Sequence, residues 1–307
     1  MYDKERPDKL VHVMVSTYNG EKYVKEQLDS IFSQEYTNIK VTVRDDGSSD
    51  HTVEVLQTYL AGLKKTDKMD IIEGENVGVK DSFLSLLNIC ESGDYWAFCD
   101  QDDVWFPDKV KTAVDKLSAV KGPALYCCRT MLTNEHLQPV ADTLHKFPPN
   151  PGFGNALIEN ICVGCTIVIN RDLYELVKGK YPEKSLIHDM WLYQIASCFG
   201  TVIYDDEPHI YYRQHEGNVI GLDGGRWALI KRQMASLKHF RGKYSAQAEE
   251  MLRMFDLCGE KELLAKKVAG TSKSWRTRWK ILLDKKIYRQ GFFDNIIFHI
   301  LLFLGWL

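Results

Sequence analysis

The chain has 307 residues, 45% of them hydrophobic and 26% charged. These are ordinary globular proportions, which exclude a collagenous, low-complexity or wholly disordered chain, and the length suits about two domains with a sizeable core. The net charge of −3 conceals a division: residues 1–225 carry 22 Lys/Arg against 35 Asp/Glu, whereas residues 226–290 carry 17 against 6. An acidic body suits metal and phosphate chemistry, and a basic appendage suits an anionic partner.

Strand and helix patterns alternate through the first half. Val11 to Val15 is a β-branched run that breaks at Ser16-Thr17-Tyr18-Asn19-Gly20. Val24, Leu28, Ile31 and Phe32 then recur at helical spacing, and Ile39, Val41 and Val43 alternate as in a strand that ends at Arg44-Asp45-Asp46-Gly47-Ser48. Asp50 is placed to cap a helix carrying Val53, Leu56 and Leu60. Met69 to Ile72 reads as a third strand, followed by a helix face of Phe83, Leu84 and Leu87. Tyr95 to Cys99 reads as a fourth strand running into Asp100-Gln101-Asp102-Asp103, with Pro107 in the first turn of the next helix.

Such alternation predicts a parallel α/β sheet with helices on both faces. Ligands in these sheets bind beyond the carboxyl ends of the strands. The polar clusters at 16–19, 45–48, 76–80 and 100–103 all follow strands, so they are expected to meet at one edge.

The eight cysteines do not read as a disulfide framework. Most lie in apolar runs, where Cys acts as a small buried hydrophobe. Cys162 and Cys165 lack a second pair at zinc spacing. No basic start followed by an apolar stretch marks a secretory leader, so a reducing, cytoplasmic setting is expected. From Arg226 the character changes. Trp227, Ile230, Met234 and Leu237 recur at helical spacing among Lys and Arg, and residues 291–307 are mostly apolar. As a helix this last stretch would reach roughly 25 Å, marginal against a hydrocarbon core of about 30 Å. The domains expected are therefore 1–225, catalytic, and 226–307, a basic helical region that docks on a membrane or on a second copy.

The strongest local pattern is Asp100-Gln101-Asp102-Asp103. Three carboxylates in four residues repel one another unless a cation offsets them, and oxygen ligands of this kind suit Mg²⁺ or Mn²⁺ beside substrate phosphates. The alternative is a solvated acidic turn; the apolar strand before it and the convergent clusters favour the cation. Asn76-Val77-Gly78-Val79-Lys80 offers a close backbone approach at Gly78 and a cation at Lys80.

The ordered series Val15 to Gly20, Asp45 to Ser48, Asn76 to Gly78 and Phe98 to Trp105, continued by Gly164-Cys165-Thr166, His188-Asp189-Met190-Trp191 and Tyr212-Arg213-Gln214-His215, resembles the family 2 glycosyltransferases over residues 10–222. The Asp-Gln-Asp-Asp-Val-Trp and His-Asp-Met-Trp forms most resemble bacterial rhamnosyltransferases of cell-surface polysaccharide synthesis. The resemblance implies a GT-A fold, with a mostly parallel twisted sheet flanked by helices and a helical C-terminal region. It implies an inverting, metal-dependent transfer from a dTDP- or UDP-sugar, rhamnose foremost, to a saccharide or lipid-linked saccharide, with no nucleic acid as partner.

By the same resemblance Ser16, Thr17, Tyr18, Asn19, Asp46, Asn76, Gly78, Lys80 and Asp100 line the nucleotide. Asp102, with Asp100 and His215, holds the divalent cation. Arg213 meets the diphosphate and Asp189 is the general base. Trp105, Gly164, Cys165, His188 and Trp191 face the sugar or acceptor. The glycines at 217, 221, 224 and 225 suit a lid. On the residues alone, Asp189 is also a plausible helix cap, and Arg213 and His215 alternate on a strand. A sugar nucleotidyltransferase would want a glycine-rich, basic loop after the first strand, where Ser16-Thr17-Tyr18-Asn19 stands instead. A non-catalytic membrane adaptor would not need the intact Asp100, Asp102, Asp189, Arg213 and His215.

Overall fold

The computed structural model describes residues 9–64, 66–141, 148–215 and 242–305. In chain order the elements begin β1 (Val11–Thr17), α1 (Val24–Phe32), β2 (Ile39–Asp45), α2 (Thr52–Gly62), β3 (Met69–Glu73), α3 (Val79–Ile89), β4 (Tyr95–Asp100), β5 (Val104–Trp105) and α4 (Lys109–Ser118). They continue with β6 (Ala124–Thr133), β7 (Pro139–Ala141), α5 (Phe153–Ala156), β8 (Val168–Asn170), α6 (Arg171–Val177), α7 (His188–Phe199) and β9 (Thr201–Arg213). The C-terminal helices are α8 (Lys243–Met254), α9 (Gly259–Ala269), α10 (Trp275–Leu282) and α11 (Phe292–Leu304).

The chain forms two compact units. The first comprises residues 1–148, 162–179 and 200–213; the second comprises 149–161, 180–199 and 214–307. They do not coincide with a cut at residue 225, because two internal segments, 149–161 and 180–199, pack with the C-terminal helices.

The first unit is built on one sheet in the order β3-β2-β1-β4-β8-β6-β9-β5, with β7 on β6. The strands β3, β2, β1 and β4 are parallel. The sheet is mixed rather than wholly parallel: β8 runs antiparallel to both β4 and β6, and β5 antiparallel to β9. Both faces of β1 and β4 are covered, which is why these strands read as near-continuous apolar runs, interrupted in β1 by the buried His12. On one face Val11, Val13, Val15, Ala97 and Cys99 pack with Leu28, Ile31, Leu56 and Val110 of the helices. On the other, Phe98 meets Phe83 at 5.7 Å between ring centroids, and Trp96 stacks on Tyr174 at 3.8 Å.

Two helix starts differ from the sequence reading. α2 begins at Thr52, and Asp50 stands one residue outside the cap position His51, although its carboxylate still accepts the Thr52 N–H at 3.0 Å. Pro107 precedes α4 by two residues and its carbonyl accepts the Glu35 N–H at 2.9 Å.

In the second unit α5 lies so close to the chain before α11 that a Cβ on Gly154 would stand 1.9 Å from the Lys286 carbonyl oxygen. Asn155 donates to the Tyr288 carbonyl at 2.9 Å, and Glu159 accepts the Gln290 N–H at 2.7 Å. The segment leading into α7 is held by α8: Gln247 accepts the Leu186 N–H at 2.8 Å and Glu250 the Glu183 N–H at 3.1 Å. Trp227, Ile230, Met234, Leu237, Trp306 and the glycines at 217–225 lie outside the described residues.

Candidate active site

The four polar clusters do converge, and hydrogen bonds fasten each to the next. Ser16 pairs in register with Arg44 of β2 and with Asp100 of β4, and Thr17 with Asp45. The Gln101 side chain clasps the backbone of Tyr18, accepting its N–H at 2.8 Å and donating to its carbonyl at 2.9 Å. Gly20 is needed for this clasp, since a Cβ there would stand 2.1 Å from Gln101 Oε1. Asn19, at a φ of 51°, donates its N–H to Ser48 Oγ at 2.8 Å and accepts the Ser49 N–H at 2.8 Å.

The adjoining aspartates have different tasks. Asp45 accepts from Thr17 Oγ1 at 2.9 Å and from Ser48 N–H at 2.8 Å, closing the turn after β2. Asp46 is buried, pairs with Arg44, and accepts the Val77 and Gly78 N–H groups at 3.0 and 2.8 Å. Burial opposes its charge, but the Val77 amide and the Arg44 guanidinium prevail and hold its carboxyl below the usual range. Arg44 also donates to Ser82 Oγ, and Ser82 bonds Ser16 at 2.7 Å. Tyr18, Asn76 and Gly78 are exposed around this frame, and Lys80 pairs with Asp81 at 3.2 Å.

In the acidic turn several acidic groups crowd together. One donor atom from each of Asp100, Asp103 and Cys165 lies within 4.8 Å of the others. Asp103 is 1% exposed; its Oδ1 accepts the Arg213 N–H at 3.1 Å, while Oδ2 has no hydrogen-bond partner among the described residues. Burial, then Asp102 and Asp100, push its carboxyl well above the ordinary range. This crowding and the orphaned oxygen fit a divalent cation bound by hard carboxylate ligands. The Cys165 thiol, raised well above its usual value by burial, remains protonated and is the poorest donor of the set. Beneath the turn, Lys109 is fully buried, with Nζ 3.8 Å from the centre of the Trp105 ring; burial lowers its pKa.

Arg213 ends β9 with its guanidinium committed. It donates to the Asp102 carbonyl at 2.8 Å and to the Glu135 carbonyl, pairs with Glu26, and lies 4.6 Å over the Tyr23 ring. His215 falls just beyond the strand rather than on it.

In the second unit, Asp189 sits in the first turn of α7 and accepts the Met190 N–H at 2.6 Å. His188 is buried, which pushes its pKa down to about 3. Trp191 is wholly buried and faces Phe255 at 6.0 Å. Trp105 and Cys165 are likewise interior, and Gly164 lies in a buried 3₁₀ turn. Four of the five residues expected to face the sugar or acceptor, His188, Trp191, Trp105 and Cys165, thus have buried side chains. Sequence reasoning gave no role to Arg44, Gln101 or Glu26, each of which has a partner far along the chain: Ser82, Tyr18 and Arg213 respectively.

The family described as Glycosyl transferase family 2 matches residues 12–177, more than half of the chain. The dTDP-rhamnosyl transferase RfbG of Shigella flexneri is 30% identical over 229 residues, covering 71% of this chain and 77% of that protein. An uncharacterized glycosyltransferase of Rickettsia typhi is 25% identical over 219 residues; the match covers 67% of this chain and 64% of that protein. Among solved structures, S. aureus TarS 1–349 with UDP-GlcNAc superposes with a TM-score of 0.58 at 18% identity, covering 90% of this chain and 77% of that one. Mannosyltransferase PcManGT from Pyrobaculum calidifontis, in complex with GDP-Man and Mn²⁺, gives 0.57 at 17% identity, covering 97% and 86%. At these identities the structural likenesses show the fold. The matched residues run from β1 through α6 and include the turns that carry Ser16, Asp46 and Asp100 to Asp103, and the chain belongs to glycosyl transferase family 2, the inverting nucleotide-sugar glycosyltransferases of GT-A fold.

Proposed function

We propose that this chain transfers L-rhamnose from dTDP-rhamnose to a saccharide acceptor carried on a lipid, in the synthesis of a bacterial cell-surface polysaccharide at the inner face of the membrane. The observation that carries the transferase reading is the acidic turn Asp100 to Asp103 closed by Arg213, at the edge where the loops after β1, β2 and β4 meet. The rhamnosyl donor rests on the likeness to RfbG.

In this reading the loops at Ser16–Asn19 and Asn76–Gly78, organised by Asp46, cradle the nucleoside. Asp102, Asp100 and His215 would hold a Mg²⁺ or Mn²⁺ ion, which would stabilise negative charge on the leaving diphosphate. Arg213 adds fixed positive charge. Asp189 accepts the proton of the acceptor hydroxyl as its oxygen bonds to the anomeric carbon. The bond from that carbon to the diphosphate breaks in the same displacement, and the anomeric configuration inverts.

A donor panel of dTDP-rhamnose, UDP-glucose, UDP-GlcNAc and GDP-mannose, read by release of nucleoside diphosphate, tests the proposal. Preference for dTDP-rhamnose by tenfold or more supports it, on the order of 1.4 kcal/mol of discrimination. Preference for a UDP-hexose removes the rhamnosyl assignment and keeps the transferase. Release of pyrophosphate from a nucleoside triphosphate and sugar phosphate identifies a nucleotidyltransferase instead.

A further inference from the structure

Helices α10 and α11, both in the second unit, present one continuous row of exposed apolar side chains. On α10, Trp275 and Trp279 are 63% and 48% exposed, and Leu283, four residues further and just past the helix, is 80% exposed. On α11, Phe292, Ile296, Ile300 and Leu304 repeat the four-residue spacing, flanked by exposed Phe293 and Phe303. Residues four apart share a helix face. The two rows join where the rings of Trp279 and Phe303 meet edge to face, 6.3 Å apart. Ile281, Phe298, Leu301 and Leu302, on the other sides of the same helices, are buried. Each helix therefore has one apolar side that holds it to the unit and a second that nothing in the chain's described residues covers.

The charge around this second face is one-sided. Arg276 and Lys280 flank the tryptophans, and Lys285 follows; all three are exposed and none is in an ion pair among the described residues. Between residues 273 and 305 the carboxylates are Asp284, which Lys267 engages, and Asp294. No helix among the described residues is long and apolar enough to cross a membrane. At 13 residues α11 reaches about 20 Å, short of the hydrocarbon thickness.

We propose that the outer face of α10 and α11 docks on an anionic lipid surface, lying in its plane. Trp275, Trp279, Phe292 and Phe293 would enter the headgroup boundary, where aromatic rings are favoured. Arg276, Lys280 and Lys285 would meet lipid phosphates. A second copy is a poorer occupant, because a two-fold interface sets the same patch against itself and would bring these cations together with only Asp294 to offset them. The inference rests on the membrane setting proposed above and not on the identity of the sugar.

The test uses the full chain and vesicles of phosphatidylcholine with and without phosphatidylglycerol, read by co-sedimentation. The expected result is binding to the anionic vesicles alone, released by salt. The variant Arg276→Gln/Lys280→Gln/Lys285→Gln should bind about 100-fold more weakly, from roughly fivefold per cation. The variant Trp275→Ser/Phe292→Ser/Phe293→Ser should lose binding while its circular dichroism and melting match the unaltered chain. Equal binding to both vesicles, or binding unchanged in both variants, overturns the proposal. So does a lipid-free dimer that the second variant converts to monomer without any vesicle binding, which assigns the face to a second copy. Nucleoside diphosphate release on a water-soluble acceptor is measured in parallel. Its absence in the unaltered chain would count against the transferase reading, while vesicle binding alone decides the docking face.

Discussion

The Asp103 carboxylate accepts the backbone N–H of Arg213 at 3.1 Å, joining the acidic turn after β4 to the last residue of β9 across 110 positions of sequence. The same arginine is anchored by the Asp102 and Glu135 carbonyls and by Glu26, so the residue expected to meet the diphosphate is also a clamp on the turn expected to hold the cation. The two roles separate by substitution. Arg213→Ala removes several buried hydrogen bonds and should cost about 1–3 kcal/mol in urea unfolding. Glu26→Gln breaks an ion pair whose carboxylate is half exposed and should cost under about 1 kcal/mol. Equal costs would mean that the pair with Glu26, and not the carbonyl clamp, fixes the guanidinium.

His188 gives a pH signature. Burial lowers its folded pKa from 6.5 to about 3, so between those values the unfolded chain binds more protons than the folded one. Stability is then fully present above pH 6.5 and declines as pH falls towards 3, with a slope of at most about 1.4 kcal/mol per pH unit from this group. His188→Gln should flatten that limb in unfolding measured from pH 7 to 4. An unchanged slope would show that other groups produce it. A histidine neutral to such low pH is also a weak base.

The sequence made the parallel half of the fold legible because β1 and β4 are buried on both faces and read as mostly apolar runs, while β2 alternates Ile39, Val41 and Val43 with polar residues. The mixed half was not legible. β8 has only three residues, and β6 contains the Cys127–Cys128 pair in place of a β-branched alternation. The convergence of the four loops followed from strand ends alone. Individual duties did not, because they depend on long-range partners: Asp46 organises the loop at Val77–Gly78, Gln101 clasps Tyr18, and Glu26 meets Arg213 across 187 residues. Lys109 reads as one more charge at a helix start, and only the fold shows it buried over Trp105.

The acidic turn predicts a metal requirement with a binding readout. Mn²⁺ titration followed by paramagnetic resonance should show one site, weakened in Asp102→Asn. The same variant should lose transfer by about 100-fold or more, the loss of several kcal/mol of charge stabilisation. Full activity in excess chelator, with no Mn²⁺ bound, would remove the cation from this chain's chemistry.

Thiol access tests the packing of the sheet. Seven cysteines are buried and Cys258 alone is exposed. Burial pushes the thiols of Cys90 and Cys198 up to about 11 and that of Cys128 to about 12. A thiolate-selective reagent at pH 8 should therefore modify one thiol quickly, and Cys258→Ser should abolish that fast phase. Rapid modification of two or more would show that the core around Cys127, Cys162 and Cys165 opens readily.

Asp189 distinguishes capping from catalysis by choice of substitution. Its carboxylate accepts the Met190 N–H at the start of α7, where a negative charge also meets the positive end of the helix dipole. If that is its whole duty, Asp189→Asn keeps an acceptor for that N–H and loses only the charge–dipole attraction, about 0.3–1 kcal/mol, while Asp189→Ala loses both. If it removes the acceptor proton, both variants should lose transfer to a similar extent, since neither retains a basic carboxylate, and both should still bind the nucleotide-sugar by calorimetry. Stability and turnover are thus expected to part company in Asp189→Asn, with near-normal melting and abolished transfer. Near-normal transfer in that variant would confine Asp189 to the helix start and move the base elsewhere.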